Sequence, residues 1–449
     1  MRQNNTASSL TEGKIYHTLL RFAVPFLLAN FIQALYGAVD MAVIGWFSDA
    51  AGISAVSVGS QVMQIVTSLV AGLTMGGTIL IAQYHGAGAV QDTKETIGTT
   101  LTMFGVCGLV FTVLMLLLTK PILLAMQTPS EAFDQAAGYV TVASCGVFFI
   151  FGYNAISAIL RALGDSKSPL FFIAVACGIN IVLDLLFVGG FHMGAAGAAL
   201  ATILSQGSSL FLAVVHLSRR DFIFSFRWKN FKIHQDKAWR ILKIGLPVSL
   251  QESLVNFSFL FISAIANAMG VVASAAVGVA AKFESFAMLP AGAFSGAIAS
   301  IAAQNIGAGK PERAKKSLNA SILLAFCSAL VFFLWSQLFP TSILQIFRAG
   351  PAVAAAGAQY LRTFSFDFLL VAFGFCQNGF LNGCGRTTFT MVNGVFATLV
   401  LRVPLAYALS KWIPSSLLGI GLAAPAATLV SVTVAFFYMR TGRWQKTAI

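Results

Sequence analysis

Charged residues are scarce in this 449-residue sequence, and their scarcity excludes most classes of soluble protein. Asp, Glu, Lys and Arg make up 10% of the chain, against 57% hydrophobic residues and a mean hydropathy of +0.83. Soluble domains carry about 25% charged residues, and a soluble core of this length cannot absorb so much apolar surface. The sequence therefore predicts an integral membrane protein.

Motifs for hydrolysis, metal binding and disulfide formation are also missing. No G-x-x-x-x-G-K-[ST] loop occurs, so ATP is not expected to drive the chain directly. The six cysteines form no C-x-x-C pair, and the five histidines lie at span ends or in loops. The net charge of +13 lies mostly between apolar runs. We therefore expect no enzyme, no cofactor, no bound metal other than a coupling Na⁺, and no nucleic-acid partner.

Apolar runs of about 20 residues recur along the chain, each long enough to cross a hydrocarbon layer of about 30 Å. Because a spanning backbone must satisfy its own hydrogen bonds, these runs are predicted helices. We count twelve of them. The predicted fold class is an all-α integral membrane protein, with twelve transmembrane helices in two pseudo-symmetric six-helix bundles.

Lys and Arg are distributed unevenly between the loops, which predicts the orientation in the membrane. One set of loops holds nearly all of them, whereas the alternate set holds only Lys120, Arg348 and Lys411. The even number of spans and this asymmetry place both termini in the cytoplasm. The longest basic loop, residues 219–237, is expected to be a solvated linker or to lie along the anionic inner leaflet.

The two halves of the chain repeat each other. "IAQYHGAGAVQDTKE" (81–95) corresponds to "AAQNIGAGKPERAKK" (302–316), and Tyr139 corresponds to Tyr360 at the same offset. Such a period indicates duplicated architecture. We predict an N-terminal lobe (1–217), a basic cytoplasmic linker (218–238) and a C-terminal lobe (239–449). Transporters built from such repeats bind substrate between the halves.

The repeated loops, "LRALGDSKSP" (160–169), "NIVLD" (180–184) and "GAAGAALATILSQ" (194–206) together resemble the multidrug and toxic compound extrusion (MATE) family. The resemblance covers nearly the whole chain. It implies a monomeric antiporter of the bacterial inner membrane, which exports amphipathic, cationic organic compounds in exchange for H⁺ or Na⁺. The alternative is a flippase for lipid-linked oligosaccharide or cell-wall precursors, because such flippases share the superfamily's architecture.

Acidic residues occur inside apolar runs of the first half, where an ionisable group is costly and is a functional candidate by default. At 1.5 Å per residue, Asp40 and Asp184 each lie about 8–9 Å inside the outer end of their spans. Asn180 is one helical turn from Asp184 and shares its face. Tyr139 and Thr202 lie about 6 and 12 Å deep by the same count. The five side chains are predicted to form one polar layer.

This layer suits the coupling ion. A buried carboxyl favours its neutral form, and two that share a pocket titrate as a pair, so they can exchange a proton between states. The oxygens of Asp40, Asn180, Asp184 and Thr202 also suit Na⁺. The set resembles the cation site of the MATE branch similar to DNA-damage-inducible protein F. In the structural alternative, either acid caps a broken helix or pairs with an Arg.

The second half is less regular. Glu252, Lys282 and Glu284 lie within spans seven and eight, and Arg402 replaces an acid near the place that corresponds to Asp184. The norfloxacin-exporter branch of the MATE family has a Glu in span seven and an Asp in span ten. Glu252 and Asp367 lie several residues away from the positions that this pattern implies. Glu252 and Glu284 either attract a cationic substrate or form internal salt bridges with Arg402 or Lys282. The candidates for the substrate cavity are Asn154, Glu252, Glu284 and Arg402.

Two prolines lie inside spans at repeat-related places, Pro25 in span one and Pro247 in span seven. Proline removes a backbone hydrogen bond and kinks a helix. We consider both as hinge candidates for rocking of the halves, and a static bend for packing as the alternative.

Overall fold

The computed structural model describes residues 10–218, 222–413 and 416–445, and these residues form helices and short connections without any strand. The sequence favours this because long apolar stretches satisfy their backbone groups only as helices in hydrocarbon. In the first half the helices are α1 (Ile15–Phe47), α2 (Ala50–Gly86), α3 (Val90–Ala125), α4 (Ser130–Cys145), α5 (Val147–Ala162), α6 (Lys167–Asp184) and α7 (Gly194–Ser218).

The second half repeats this order. Its helices are α8 (Gln235–Ala268), α9 (Val271–Gly307), α10 (Pro311–Leu338), α11 (Pro340–Ile346), α12 (Pro351–Gly383), α13 (Thr387–Val395), α14 (Val403–Trp412) and α15 (Leu418–Arg440). Two π-helical turns interrupt corresponding helices of the two halves, Leu185–Gly190 after α6 and Phe396–Arg402 between α13 and α14. Short 3₁₀ turns cover Trp228–Asn230 and Arg443–Gln445.

The predicted count of spans is confirmed among the described residues. Eleven helical segments are long and apolar enough to cross a membrane, and the pair Ser130–Cys145 and Val147–Ala162, bent by 44°, makes a twelfth. The bend lies at Gly146, whose added Cβ would collide with Ile203. The fold is therefore the predicted all-α membrane protein.

The chain divides into two compact units whose boundaries fall inside α1 and α8. The first unit contains Leu28–Gly245, and the second contains Leu10–Leu27 and Leu246–Ile449. The boundaries lie close in sequence to Pro25 and Pro247. The predicted lobes, 1–217 and 239–449, differ from these units in the linker and in the first parts of α1 and α8, and their assignment as lobes stays a prediction.

The described part of the linker packs on the first unit and is not freely solvated. Phe222 and Phe226 contact a buried apolar cluster of α5, α6 and α7. Phe224 is buried, and Gly98 on α3 leaves the space that its ring occupies. The backbone N–H of His234 donates to Thr99 Oγ1 at 3.2 Å. The linker's aromatic residues, which a charge count overlooks, explain this packing.

The basic first turns of α8 are bonded to the first of the two repeated Gly-rich loops, residues 81–95. Lys237 is buried and pairs with Asp92 at 2.5 Å, and its Nζ donates to the Tyr84 hydroxyl at 3.0 Å. Arg240 donates to the same hydroxyl at 3.1 Å. The Gly-rich loop of the first half thus holds the first turns of α8, which is the seventh predicted span.

The second Gly-rich loop anchors the segment that leads into span one. The backbone N–H of Leu10 donates to Gln304 Oε1 at 3.1 Å, and Asn305 Nδ2 donates to the Leu10 carbonyl oxygen at 3.2 Å. Arg313 donates to the carbonyl oxygens of Glu12 and Gly13. The repeat loop of the second half therefore holds the chain just before α1, and the repeat loop of the first half holds the first turns of α8.

Glycines allow α9 and α12 to approach each other closely in the second unit. A Cβ added at Gly379 would collide with the Ser295 carbonyl oxygen, and one at Gly383 with the Ala299 carbonyl oxygen. Small residues four apart are a common device for helix packing in membranes, where the hydrophobic effect does not drive helices together. Gly292, also on α9, has no atom within 4 Å of an added Cβ.

We expect Gly379→Ala to lower the free energy of unfolding by about 1–3 kcal/mol, because the methyl group overpacks a backbone contact. Gly292→Ala is the matched control and should cause no loss, since the position is open. Thermal unfolding in detergent measures both. Equal melting temperatures for the two variants would show that the α9–α12 contact does not require glycine.

Candidate functional site

The two acids predicted from the first half of the sequence, Asp40 and Asp184, both lie in the first unit. Asp40 lies on α1 and is 8% exposed, and Asp184 is the last residue of α6 and is fully buried. Their carboxyl groups lie within electrostatic range of each other, and Asn180 lies near both. Asn180 and Asp184 share a face because they are one helical turn apart.

Most polar atoms of this cluster lack a regular hydrogen bond from the described residues. They are Asp40 Oδ1, both carboxyl oxygens of Asp184, and both amide atoms of Asn180, all shielded from solvent. A buried polar group without a partner costs about 1–3 kcal/mol. Four of these five atoms are oxygens, which a proton or a cation could satisfy, and the fifth is the amide nitrogen of Asn180.

Thr202 and Tyr139 complete the predicted set. Thr202 Oγ1 donates to Asp40 Oδ2 at 3.3 Å. Tyr139 is 4% exposed, and its hydroxyl lies within electrostatic range of both carboxyl groups. Its ring fills the space that Gly59 on α2 leaves free. The structure thus brings all five predicted residues together, while their roles stay predictions.

Two further side chains at this site were not predicted from the sequence. The Tyr36 hydroxyl lies 2.5 Å from Ser205 Oγ and donates to the Thr202 carbonyl oxygen at 3.3 Å. Ser205 Oγ donates to the same carbonyl oxygen at 2.8 Å. The spacing contained the signal, because Tyr36 precedes Asp40 by one helical turn and Ser205 follows Thr202 by nearly one.

Neither structural alternative for the two acids is observed. Asp184 precedes the π-helical turn but its side chain makes no capping hydrogen bond. In the part of the chain that the structure describes, neither Asp40 nor Asp184 belongs to an ion pair. The turn Leu185–Gly190 is itself informative, since π-bulges occur frequently at functional sites.

The second unit buries a different set of ionisable groups. Glu284, Asp367 and Arg402 are each less than a tenth exposed and lie within electrostatic range of one another, with Tyr360 beside Glu284. The Arg402 guanidinium carbon lies 4.5 Å from the centre of the Phe259 ring. Tyr139 and Tyr360, which correspond in the repeat, therefore both lie against buried acids.

The salt bridges considered for the second half do not form within 4 Å among the described residues. No ion pair contains Glu252, Lys282, Glu284 or Arg402. Glu252 and Lys282 are exposed. Asn154 on α5 donates to the Ile150 carbonyl oxygen of its own helix at 2.8 Å. The assignment of Asn154, Glu252, Glu284 and Arg402 to a substrate cavity stays a prediction.

We expect Tyr36→Phe to lower the free energy of unfolding by about 1 kcal/mol, because it removes the hydroxyl that contacts Ser205 and the Thr202 carbonyl oxygen. Tyr407→Phe is the control, since Tyr407 is 57% exposed. Thermal or denaturant unfolding in detergent compares the two. Identical stability for both variants would mean that the Tyr36 hydroxyl contributes nothing at this site.

Comparison with known proteins identifies the family. Two stretches of equal length, residues 25–186 and 247–408, match the MatE family. They begin at Pro25 and Pro247, in agreement with the internal repeat. The chain belongs to the MatE family, and it is therefore a membrane transporter and not an enzyme.

Curated relatives extend over the same length. The chain is 30% identical over 443 residues to the probable multidrug resistance protein YpnP of Bacillus subtilis (strain 168), with 98% of each chain covered. It is 28% identical over 446 residues to the probable multidrug resistance protein YoeA of the same organism, with 98% of this chain and 96% of YoeA covered.

A solved structure supports the fold. It is described as the outward-facing conformation of a multidrug resistance MATE family transporter of the MOP superfamily. The TM-score is 0.92 at 24% sequence identity, and the match covers 99% of this chain and all of that one. At this identity the similarity concerns the fold alone.

Proposed function

We propose that the chain is a secondary active multidrug efflux antiporter that exports amphipathic, cationic organic compounds in exchange for H⁺, with Na⁺ as the second choice. The observation that carries the proposal is the burial of Asp40 and Asp184 within electrostatic range of each other, in a site where most oxygens have no partner. The names of the relatives YpnP and YoeA support the same function.

The chemistry of the pair supports proton coupling. Two carboxylates in contact repel each other, so one shared proton removes much of the cost of burying them. Protonation then changes the electrostatics between α1 and α6, the helices that carry the acids. A coupling ion works only if it binds the two states of a carrier with different affinities, and a buried acid pair provides that difference.

Sodium is the second choice because the same oxygens are hard ligands. Asp40, Asp184, Asn180 and Thr202 together offer carboxylate, amide and hydroxyl oxygens, the ligand types that hard cations prefer. Thr202 would have to rotate its hydroxyl away from Asp40 and turn a lone pair towards the ion. The proton requires no such rearrangement, which is why we place it first.

The proposed cycle follows from these contacts. The outward-open carrier takes up a proton at Asp40 and Asp184, and the substrate is released outside. The protonated carrier turns inward, loses its proton and collects new substrate. Pro25 and Pro247 are the proposed hinges, because the boundaries of the two compact units fall close to them and each proline removes a helical hydrogen bond.

We place the protein in the bacterial inner membrane as a monomer, with both termini cytoplasmic. The support is the concentration of Lys and Arg in one set of loops and the bacterial source of the relatives. Glu252 and Glu284 are the acids that we assign to attracting cationic substrates. Glu252 is exposed on α8, and Glu284 is buried near Asp367.

The flippase alternative is less well supported. A pyrophosphate-linked lipid needs a cationic cavity, but the buried cluster of the second unit holds two acids, Glu284 and Asp367, for one base, Arg402. Lys282 and Arg362, two further bases inside spans of the second half, are exposed.

Transport into vesicles tests the coupling. In proteoliposomes we expect a fluorescent cationic dye to move when a pH gradient is imposed, and Asp40→Asn or Asp184→Asn to lower the rate at least tenfold, since tenfold corresponds to only about 1.4 kcal/mol. A Na⁺ gradient, imposed separately, distinguishes the two ions. Asp134→Asn is the control, because Asp134 is an exposed acid on α4.

Several outcomes would contradict the proposal. Dye transport at native rates in both site variants would remove the acid pair from the mechanism. Dye transport that responds to neither gradient would exclude antiport with these ions. Movement of a reporter lipid without any movement of dye would favour the flippase.

A further inference from the structure

A groove of about 530 Å³ opens in the second unit between α10, α12 and α15. One end carries two exposed basic residues, Lys315 at the start of α10 and Arg440 at the end of α15. Asn319 and Gln377 add polar groups beside them. The remaining lining is apolar and consists of Leu318, Ile322, Leu323, Phe326, Phe373, Phe380, Phe436, Met439 and Trp444. The groove is therefore amphipathic along its length.

The dimensions of the groove match one leaflet of a bilayer. Lys315, Asn319, Ile322 and Phe326 follow one another on a single face of α10. The helix rises about 16 Å from Lys315 to Phe326, which is about half of a hydrocarbon layer of about 30 Å. A ligand that fits must carry an anionic group at one end and an apolar chain of leaflet length.

The first unit covers the corresponding surface with its own chain. By the offset that relates Lys94 to Lys315, Leu101 corresponds to Ile322 and Ile156 to Gln377. In the first unit, Phe222 and Phe226 of the linker pack against the buried cluster that contains Ile156, and Leu101 packs against the same cluster. Apolar side chains therefore occupy the repeat-related surface.

In the second unit the described residues cover the groove only in part. Trp444 packs on Phe380 with ring centroids 4.9 Å apart, and its indole N–H donates to the Met439 carbonyl oxygen at 2.8 Å. Leu323 and Phe436 in the lining stay about half exposed. An apolar ligand in the groove would cover the surface that corresponds to the one under the linker in the first unit.

We propose that this groove binds one anionic phospholipid of the adjacent leaflet. Its phosphate lies between Lys315 and Arg440, and an acyl chain follows α10 past Ile322 to Phe326 and Phe373. Charge complementarity favours this occupant, because two basic groups stand at the end of the groove where the loops are rich in Lys and Arg. In the predicted orientation this is the anionic inner leaflet. The proposal is independent of the transported substrate and of the coupling ion.

Native mass spectrometry of the full chain with added phosphatidylglycerol tests the site. We expect one phosphatidylglycerol to be retained, and Lys315→Gln with Arg440→Gln to weaken its binding about 10- to 30-fold, since each basic group contributes about 1 kcal/mol. Asn319→Trp keeps both charges but fills the groove, and should also displace the lipid. Retained size-exclusion and circular dichroism profiles show that the variants fold.

The control pair is Lys316→Gln with Arg443→Gln, which removes two exposed charges that do not line the groove. Equal losses for the control and groove pairs would overturn the proposal, because the attraction would be a general surface effect. Equal retention of phosphatidylcholine, unaffected by the groove variants, would also overturn it. A dimer that Asn319→Trp abolishes would instead identify a second copy of the chain as the occupant.

Discussion

The burial of Asp40 and Asp184 within electrostatic range of each other is the constraint on which the functional structure of this protein depends. Hydrocarbon forces every backbone polar group into helices, so two apolar helices could pack with no polar side chain at all. The chain instead buries two acids and an amide, most of whose polar atoms have no regular partner, at a cost that packing alone does not explain. Thr202 and Ser205 on α7, Tyr139 on α4 and Tyr36 on α1 lie around the pair, and Thr202 donates to Asp40.

Duplication supplies the framework around that site, and the two copies have diverged in chemistry. The Gly-rich loop of the first half holds the first turn of α8 through Asp92 and Lys237, and that of the second half holds the segment before α1 through Arg313, Glu12 and Gly13. The first unit places only acids, amides and hydroxyl groups in its buried cluster. The second unit adds Arg402, so its acids are partly balanced, and we assign the coupling ion to the first unit for this reason.

Among the described residues, the linker covers an apolar surface of the first unit, whereas the corresponding surface of the second unit is covered only in part. Its basic residues suggest a solvated segment, yet its phenylalanines close an apolar surface on the first unit, and the equivalent surface of the second unit forms the groove beside Lys315 and Arg440. Aromatic residues within a charged loop were therefore the informative feature. A loop's position relative to apolar surface, rather than its net charge, decides whether it packs.

The sequence by itself determined the class, the twelve spans, the repeat and the depth of the polar layer, because apolar length and the rise per residue along a helix are local quantities. Counting residues along the spans placed Asp40 and Asp184 at the same depth, without any information about which helices pack together. Only the tertiary structure decided that the two carboxyl groups lie within electrostatic range of each other, that Tyr36 and Ser205 lie beside Thr202 at the same site, and that Glu284 and Arg402 form no close ion pair. The depth of a residue in the membrane follows from its position along its own helix. The direction in which its side chain points depends on how helices distant in sequence rotate and pack.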